Sequence, residues 1–372
     1  MVASVVASVH LFEPLTVRDE TFANRIVVAP MCQYSAVNGI VQDWHLQHYG
    51  SLVASGPGMV VIEATAVEPE GRITPACLGL YSDECEVAFA HLVRTIKHFG
   101  NAKIAVQIGH AGRKASTQRP WEGRGPLSAA GGAWQTIGPS AIPFDADWPI
   151  PAEIGAYDLD RLRHAFAEAA ARADRAGLDA VEVHAAHGYL LHQFLSPLAN
   201  HRKDVYGGSL DGRMRFPLEV IRAVRRTWPA GKPLGIRISA TDWVEGGFSV
   251  DEAVVFVAAC KAEGVDYVCV SSGGMAPNAK VPVGPGYQVD LAARIRRETG
   301  ILTRAVGMIA GARQAETILA KGQADLVALG RAFLHDPRWV WHAAETLGVS
   351  APYPPQYLRA QPKLWEGAKL LD

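Results

Sequence analysis

Eight short runs of apolar, largely β-branched residues recur along the chain. They fall at 25–30 (RIVVAP), 59–67 (MVVIEATAV), 103–109 (KIAVQIG), 180–185 (AVEVHA), 233–239 (PLGIRIS), 265–272 (VDYVCVSS), 301–307 (ILTRAVG) and 324–331 (ADLVALGR). Near-continuous apolarity over so few residues marks strands buried on both faces. Between the runs the period changes to that of helices. Residues 158–177 set apolar side chains at helical spacing, open with an Asp cap and stop at a glycine. Residues 249–264 follow the same grammar, with Ser249 as N-cap and Glu252 three positions on, a capping box. Residues 311–322 are a shorter version.

This alternation predicts an α/β chain folded as a single (β/α)8 TIM barrel over residues 1–350. A doubly wound open sheet is the competing layout, but no GxGxxG follows any strand. The interval 110–157, rich in Gly, Pro, Ser and Trp, exceeds what a βα connection needs. It is expected to be a long insertion after the third strand that caps the barrel mouth. Trp121 and Trp134 within it read as packing of that cap. Residues 351–372 leave the pattern through a proline-rich turn and form a C-terminal extension. There Tyr357 and Arg359 are expected to alternate in an extended segment after Pro354 and Pro355.

Composition narrows the class. The chain has 372 residues, 49% hydrophobic and 20% charged, which suits a soluble protein with a full core. A formal net charge of −1 gives no electrostatic case for nucleic acid or an anionic membrane. The N-terminus has no basic region ahead of its apolar stretch and soon meets Glu13 and Pro14, so no signal peptide is expected. No stretch is long and apolar enough to span a bilayer. The five cysteines, Cys32, Cys77, Cys85, Cys260 and Cys269, show no metal or redox spacing and read as reduced thiols of a cytoplasmic protein.

Barrel chemistry sits at the C-terminal ends of the strands. Read there in chain order, the residues are Pro30, Met31, Cys32 and Tyr34; Glu63 and Ala64; Gln107 and His110; His184, His187 and Tyr189; Arg237; Ser271 and Ser272; Gly307; and Gly330 with Arg331. The collection is neutral-polar and basic. An isomerase or aldolase acting on a phosphorylated substrate would need a lysine nucleophile or a carboxylate base, and neither is well placed. Gly307, Gly330 and Arg331 suit a phosphate, because barrels often hold one after strands seven and eight; they equally suit tight turns. His184 and His187 could bind a metal, but no third ligand is evident. They could simply pack. They could also donate two N–H bonds to one substrate oxygen, with Tyr189 supplying a proton.

These residues and their surroundings resemble the old yellow enzyme family of FMN-dependent ene-reductases, in its thermophilic-like bacterial branch. The resemblance runs from LFEPLTVRDETFANRIVVAPMCQYSA to PPQYLRA. It includes VQIGHAGRKA, VEVHAAHGYLLHQFLSPLANHRKDVYGGSL, IRISATDW, CVSSGG and DLVALGRAFLHDP. It implies tightly bound FMN, with NADPH or NADH as a transient reductant. Hydride would pass from the flavin to the β-carbon of an α,β-unsaturated carbonyl or nitro compound. By the same resemblance, Ala29, Pro30, Met31, Cys32 and Ala64 line the flavin and Gln107 bonds its pyrimidine edge. Arg237 lies by the N1/C2 edge, and Gly307, Gly330 and Arg331 hold the phosphate. His184 and His187, assisted by Tyr34, grip the substrate oxygen, Tyr189 donates the proton, and Cys32 tunes the flavin. Arg359 reaches the site of a neighbouring subunit in a homodimer or homotetramer. Cys77, Cys85, Cys260 and Cys269 are left as packing or surface thiols, and Glu63 as structural. A flavin protein that senses or stores without turnover is the rival from another class.

Overall fold

A computed structural model describes residues 9–370. Residues 1–8, where the absence of a signal peptide was expected, lie outside the described residues, as do 371 and 372. The eight apolar runs form one closed parallel barrel. Its strands are β3 (Ile26–Val28), β4 (Met59–Ala66), β5 (Lys103–Gly109), β8 (Ala180–Ala185), β9 (Leu234–Ser239), β10 (Tyr267–Ser271), β11 (Leu302–Val306) and β12 (Leu326–Leu329). β12 pairs with β3 to close the ring.

Outside the ring lie α1 (Asp43–Val53), α2 (Asp83–Ile96), α3 (Ala156–Arg175), α4 (Leu190–Leu195), α5 (Leu210–Thr227), α6 (Val250–Ala262), α7 (Val289–Thr299), α8 (Ala312–Ala320), α9 (Arg331–His335) and α10 (Trp339–Leu347). None of the helices is long and apolar enough to cross a membrane. Alternate residues of each strand divide the core in two. Ile26, Val28, Val60, Ile62, Val181 and Val183 pack outward under the helices. Val27, Met59, Val61, Ala105, Tyr267, Cys269, Leu326 and Ala328 fill the lumen. This period of two explains why the runs read as apolar on both faces.

Two small elements close the foot of the barrel. β1 (Leu15–Val17) and β2 (Glu20–Phe22) form an antiparallel hairpin whose Val17 and Phe22 join the lumen cluster. Arg18 fixes it by bonding Asp266 at 2.7 Å. In the insertion, β6 (Ile137–Gly138) pairs with β7 (Ala152–Glu153).

Local rules account for the helix starts, with one correction. Ser249 and Glu252 make the expected capping box of α6, with bonds of 3.3 and 3.1 Å. α3 starts earlier than expected. Gly155 is its N-cap, and Asp158 sits at the third helical position, where its carboxylate accepts from the Gly155 N–H at 3.0 Å. The acid is the reciprocal half of a capping box and not the cap itself. The tail also differs from expectation. Pro355–Ala360 is a 3-10 helix, not an extended segment. Proline restricts the residue before it, yet is itself favoured in a first helical turn, so the pair starts a turn here. Two further 3-10 turns, Pro362–Leu364 and Glu366–Leu370, follow.

Candidate active site

The site is built on the end of β8. His184 is its penultimate residue, His187 follows in a left-handed conformation (φ 59°), and Tyr189 caps the short α4. The three rings meet edge to face, His184 lying 5.2 Å from His187 and 4.9 Å from Tyr189 between centroids. His184 Nδ1 accepts from the Ala186 N–H at 3.2 Å, so its proton is on Nε2. His187 Nε2 lies 2.8 Å from Ser271 Oγ, whose single proton can go to that nitrogen or to Gln288 Oε1 at 3.4 Å. Ser271 therefore governs which His187 nitrogen carries hydrogen. Burial, and then the nearby Arg237 charge, hold both imidazoles well below their usual pKa. They are neutral donors at pH 7. Burial pushes Tyr189 well above 10, so it keeps its proton.

The loop is fixed from three sides. Gly188 (φ 75°) faces the Gly274 carbonyl so closely that a Cβ would collide with it, and a Cβ on Gly274 would lie 2.7 Å from His187 Cα. Only glycine permits both the positive φ and the backbone approach. Lys114 Nζ ties the same two segments together, donating to the carbonyls of His187 at 2.8 Å and Gly274 at 2.9 Å. Burial, then Arg113, lower its pKa to about 8. Beneath, His192 pairs with Asp242 at 2.9 Å while its Nδ1 accepts from the Gly188 N–H.

Lys114 was missed in the sequence because only contacts distant in the chain bury it. Its place five residues past β5 was the available signal. The lysine, Tyr34, Thr74, Arg124, Phe144 and Tyr189 line one cavity of ≈ 480 Å³. Trp121, exposed rather than packed into the cap, meets Tyr34 edge-on at 5.8 Å, so this part of the insertion reaches the mouth. A larger hollow of ≈ 620 Å³, lined among others by Phe12, Phe99 and Tyr353, shares no residue with it.

Two strands away, a β-bulge between Ile62 and Ala64 turns Glu63 out of the barrel. Glu63 accepts from Tyr49 Oη at 3.0 Å and from the Gln33 N–H at 2.9 Å. Burial raises its pKa to about 8. It supports the 30–34 segment from behind. The neighbouring Cys77 thiol, and then burial, hold the Cys32 pKa above its usual value. Cys77 Sγ accepts from the Thr74 N–H at 3.4 Å and lies 3.3 Å from Thr74 Oγ1; burial would raise its pKa, but the Cys32 and Thr74 neighbours outweigh it and bring the thiol to about 7. Cys77 is 1% exposed, as expected of a packing thiol, and it neighbours Cys32.

Arg237 is the register partner of His184 on the next strand. It is 9% exposed, and its Nε has no acceptor. A buried, unpartnered guanidinium calls for an anion or a carbonyl edge that the protein itself does not provide. Gln107, on β5, points into the lumen beside it and is 2% exposed. Ala29 bonds the Leu329 carbonyl, which brings the 29–32 segment against the end of β12. Met31 Sδ lies 3.4 Å from where a Gly330 Cβ would be. Gly307 (φ 117°) ends β11, and Arg331 is exposed at the start of α9. The 29–32 segment, Gly307, Gly330 and Arg331, on the ends of β3, β11 and β12, form the far side of the mouth from His184, while Gln107 and Arg237 flank it on the adjacent strands. Arg359 is exposed in the tail and shares none of the contacts that join His184, His187 and Tyr189. No group of three or more His, Cys, Asp or Glu among the described residues could hold a metal ion.

Comparison with known proteins agrees with this geometry. The profile of the NADH:flavin oxidoreductase / NADH oxidase family matches residues 10–349. The chain is 45% identical over 351 residues to an NADPH dehydrogenase of Geobacillus thermodenitrificans, covering 94% of this chain and 98% of the relative. It is 43% identical, with the same coverage, to an NADPH dehydrogenase of Bacillus subtilis. Among solved structures, morphinone reductase in complex with tetrahydroNAD superposes with a TM-score of 0.75 at 25% identity, over 93% of both chains. The chain belongs to the NADH:flavin oxidoreductase / NADH oxidase family, in its old yellow enzyme group, and is an oxidoreductase that takes FMN with NAD(P)H as reductant.

Proposed function

We propose that the protein is an ene-reductase acting on α,β-unsaturated carbonyl or nitro compounds. The observation that carries this reading is the pair of neutral, edge-to-face imidazoles at the end of β8, beside a buried guanidinium with no partner. FMN, when bound, supplies the hydride that the β-carbon of the alkene receives.

The rest is the work of the chain. Arg237 offers its unpaired Nε to the N1/C2 edge of the ring, where positive charge favours the reduced form. Ala29, Pro30, Met31, Cys32 and Ala64 line the ring, and Gln107 meets its pyrimidine edge. Gly307, Gly330 and Arg331 hold the phosphate. His184 and His187 donate to the activating oxygen, with Tyr34 assisting. Negative charge grows on that oxygen as the alkene is reduced, so fixed donors stabilise the transition state more than the ground state. Their lowered pKa keeps them neutral without weakening the donation. Tyr189 keeps its proton until the α-carbon needs it. Lys114 holds the loop that carries all three. Cys32, with Cys77 behind it, tunes the flavin.

Arg359 acts in the site of a second copy, in a homodimer or homotetramer with two-fold contacts. The five free thiols support a reducing compartment, the cytoplasm.

The test separates the two half-reactions. Tyr189→Phe should slow alkene reduction at least tenfold while flavin reduction by NADPH stays within twofold, as stopped-flow absorbance reads. Equal losses in both halves would refute the proton-donor role. A protein that NADPH reduces but that no enone or nitroalkene reoxidises would refute the ene-reductase reading.

A further inference from the structure

The lumen holds one ion pair. Arg304 on β11 and Glu182 on β8 are both fully buried, and the guanidinium crosses the barrel to bond the carboxylate. Arg304 also lies over the Tyr267 ring, 5.4 Å from its centroid. Room for that ring exists because position 235 is glycine; a Cβ there would overlap it. The other oxygen of Glu182 accepts from Gln107 Nε2 at 2.8 Å. Gln107 and Glu182 are register partners on neighbouring strands. The result is a chain, Arg304 to Glu182 to Gln107, running from the far wall of the lumen to the floor of the site.

A primary amide can turn end for end with little steric change, exchanging two donors for an acceptor. Gln107 cannot. A carboxylate salt-bridged to a guanidinium is acceptor-only, and both oxygens of Glu182 are engaged, one by Arg304 and one by Gln107. Nε2 must therefore face Glu182, which turns Oε1 toward the mouth. The pyrimidine edge of a flavin carries one N–H, at N3, between two carbonyls. An acceptor fixed in advance suits that hydrogen and rejects a ring that lacks it.

We infer that Glu182, held by Arg304 across the lumen, is the positioning residue that sets the amide of Gln107 and so makes the site read the flavin N3–H. This rests on the proposal above that Gln107 meets the pyrimidine edge.

Deflavinated protein titrated with FMN and with 3-methyl-FMN tests it, the ratio of the two dissociation constants being the readout. A general loss of structure moves both constants and leaves the ratio. The native chain should prefer FMN by at least about tenfold. Gln107→Leu sets the steric remainder and should abolish most of the preference. Glu182→Leu with Arg304→Met replaces the ion pair by apolar groups, which buried pairs often tolerate; its preference should fall at least threefold. Glu182→Gln with Arg304→Met offers an amide that can itself turn and either accept from or donate to Gln107, so its preference should also fall at least threefold, and a native-like preference there would overturn the positioning role. A native-like preference in the Leu/Met protein, with the preference lost in Gln107→Leu, overturns the positioning role and leaves the Gln107 reading standing. A native-like preference in Gln107→Leu overturns both. If the Leu/Met protein does not fold, a neutron structure of the native holoprotein decides. Amide deuterons of Gln107 on the Glu182 side support the inference, and a carbonyl oxygen there overturns it.

Discussion

Tyr189 and Tyr357 each carry a cation over the ring, Lys114 at 5.4 Å and Arg338 at 5.3 Å, yet they belong to regions held in place by different means. The loop of Tyr189 is fixed by backbone. Two glycines approach each other, a buried lysine bonds two carbonyls, and a His–Asp pair supports the turn from below. The tail of Tyr357 is held by side chains, through aromatic faces and a bond from Tyr353 Oη to Glu345 at 3.0 Å. Trp341 meets Tyr353 at 4.3 Å and Tyr357 at 5.8 Å, and none of the residues from 355 to 370 is buried. The first region is held by backbone contacts, as the proposed proton donor requires. The second rests on few contacts, as the proposed intersubunit arm requires. The two proposed roles would thus draw on opposite ends of the stability range.

The comparison can be broken at the fixed end first. His184→Ala or His187→Ala should each slow enone reduction about 10²–10³-fold, the range for loss of one oxyanion donor. FMN content should stay unchanged, as absorbance of the purified protein reads. A loss below fivefold in both would show that the fixed loop is not used as a clamp.

Gly188→Ala comes next. The positive φ and the collision with Gly274 together should cost about 2–4 kcal/mol, read as a lower denaturant midpoint. Gly348, just before the tail, has a similar φ of 72° but open space around it. Gly348→Ala should cost only about 1 kcal/mol. Equal costs would remove the distinction between the two regions.

Acid should act on the barrel side. His45, His48, His110, His184 and His187 are all held below the ordinary imidazole pKa, by burial first. Below about pH 6.5 the unfolded chain takes up protons that the folded chain refuses. Stability should then fall with falling pH, by up to about 1.4 kcal/mol per unit for each histidine, until the folded pKa values are reached. For His48 and His110 that limit is about 4. Urea midpoints between pH 7 and 5 check the slope. A flat profile would mean that these rings are hydrated.

The smallest effect belongs to the tail. Arg359→Ala should change stability by less than about 0.5 kcal/mol, because the side chain is exposed. It should raise the enone KM with FMN content intact. Hybrids of Arg359→Ala and His184→Ala subunits should regain part of the native KM if the arginine serves a neighbour. Unchanged KM would leave it a surface residue.

All eight barrel strands were legible because each is apolar on both faces, a signal that survives without knowledge of the partner strand. The hairpin β1–β2 was not. Its strands are three residues long and pack one face only, so they give neither a run nor a countable alternation. Asp158 was read as the cap because an acid at the N-cap and at the third helical position looks alike in one dimension. Among the site residues, His184, His187 and Tyr189 announced themselves by type and spacing. Lys114 did not, since its burial depends on the carbonyl of Gly274, 160 residues away. The closeness of Cys77 to Cys32 was hidden for the same reason, the two lying far apart in the chain. Proline content marked the tail but could not tell an extended arm from a 3-10 turn.

The hairpin at the foot of the barrel has a consequence for how the chain is made. Part of its support lies close by, in Val27 and Met59, but the rest comes much later in the chain: Arg18 bonds Asp266, 248 residues on, and Phe22 packs in a cluster with Leu326 and Ala328. Until those strands are made, Val17 and Phe22 are only partly covered. An unfinished sheet with a bare apolar β-edge invites pairing with its neighbours on a polysome. Closure thus joins segments far apart in sequence, and a chain lacking the late strands should be open and sticky.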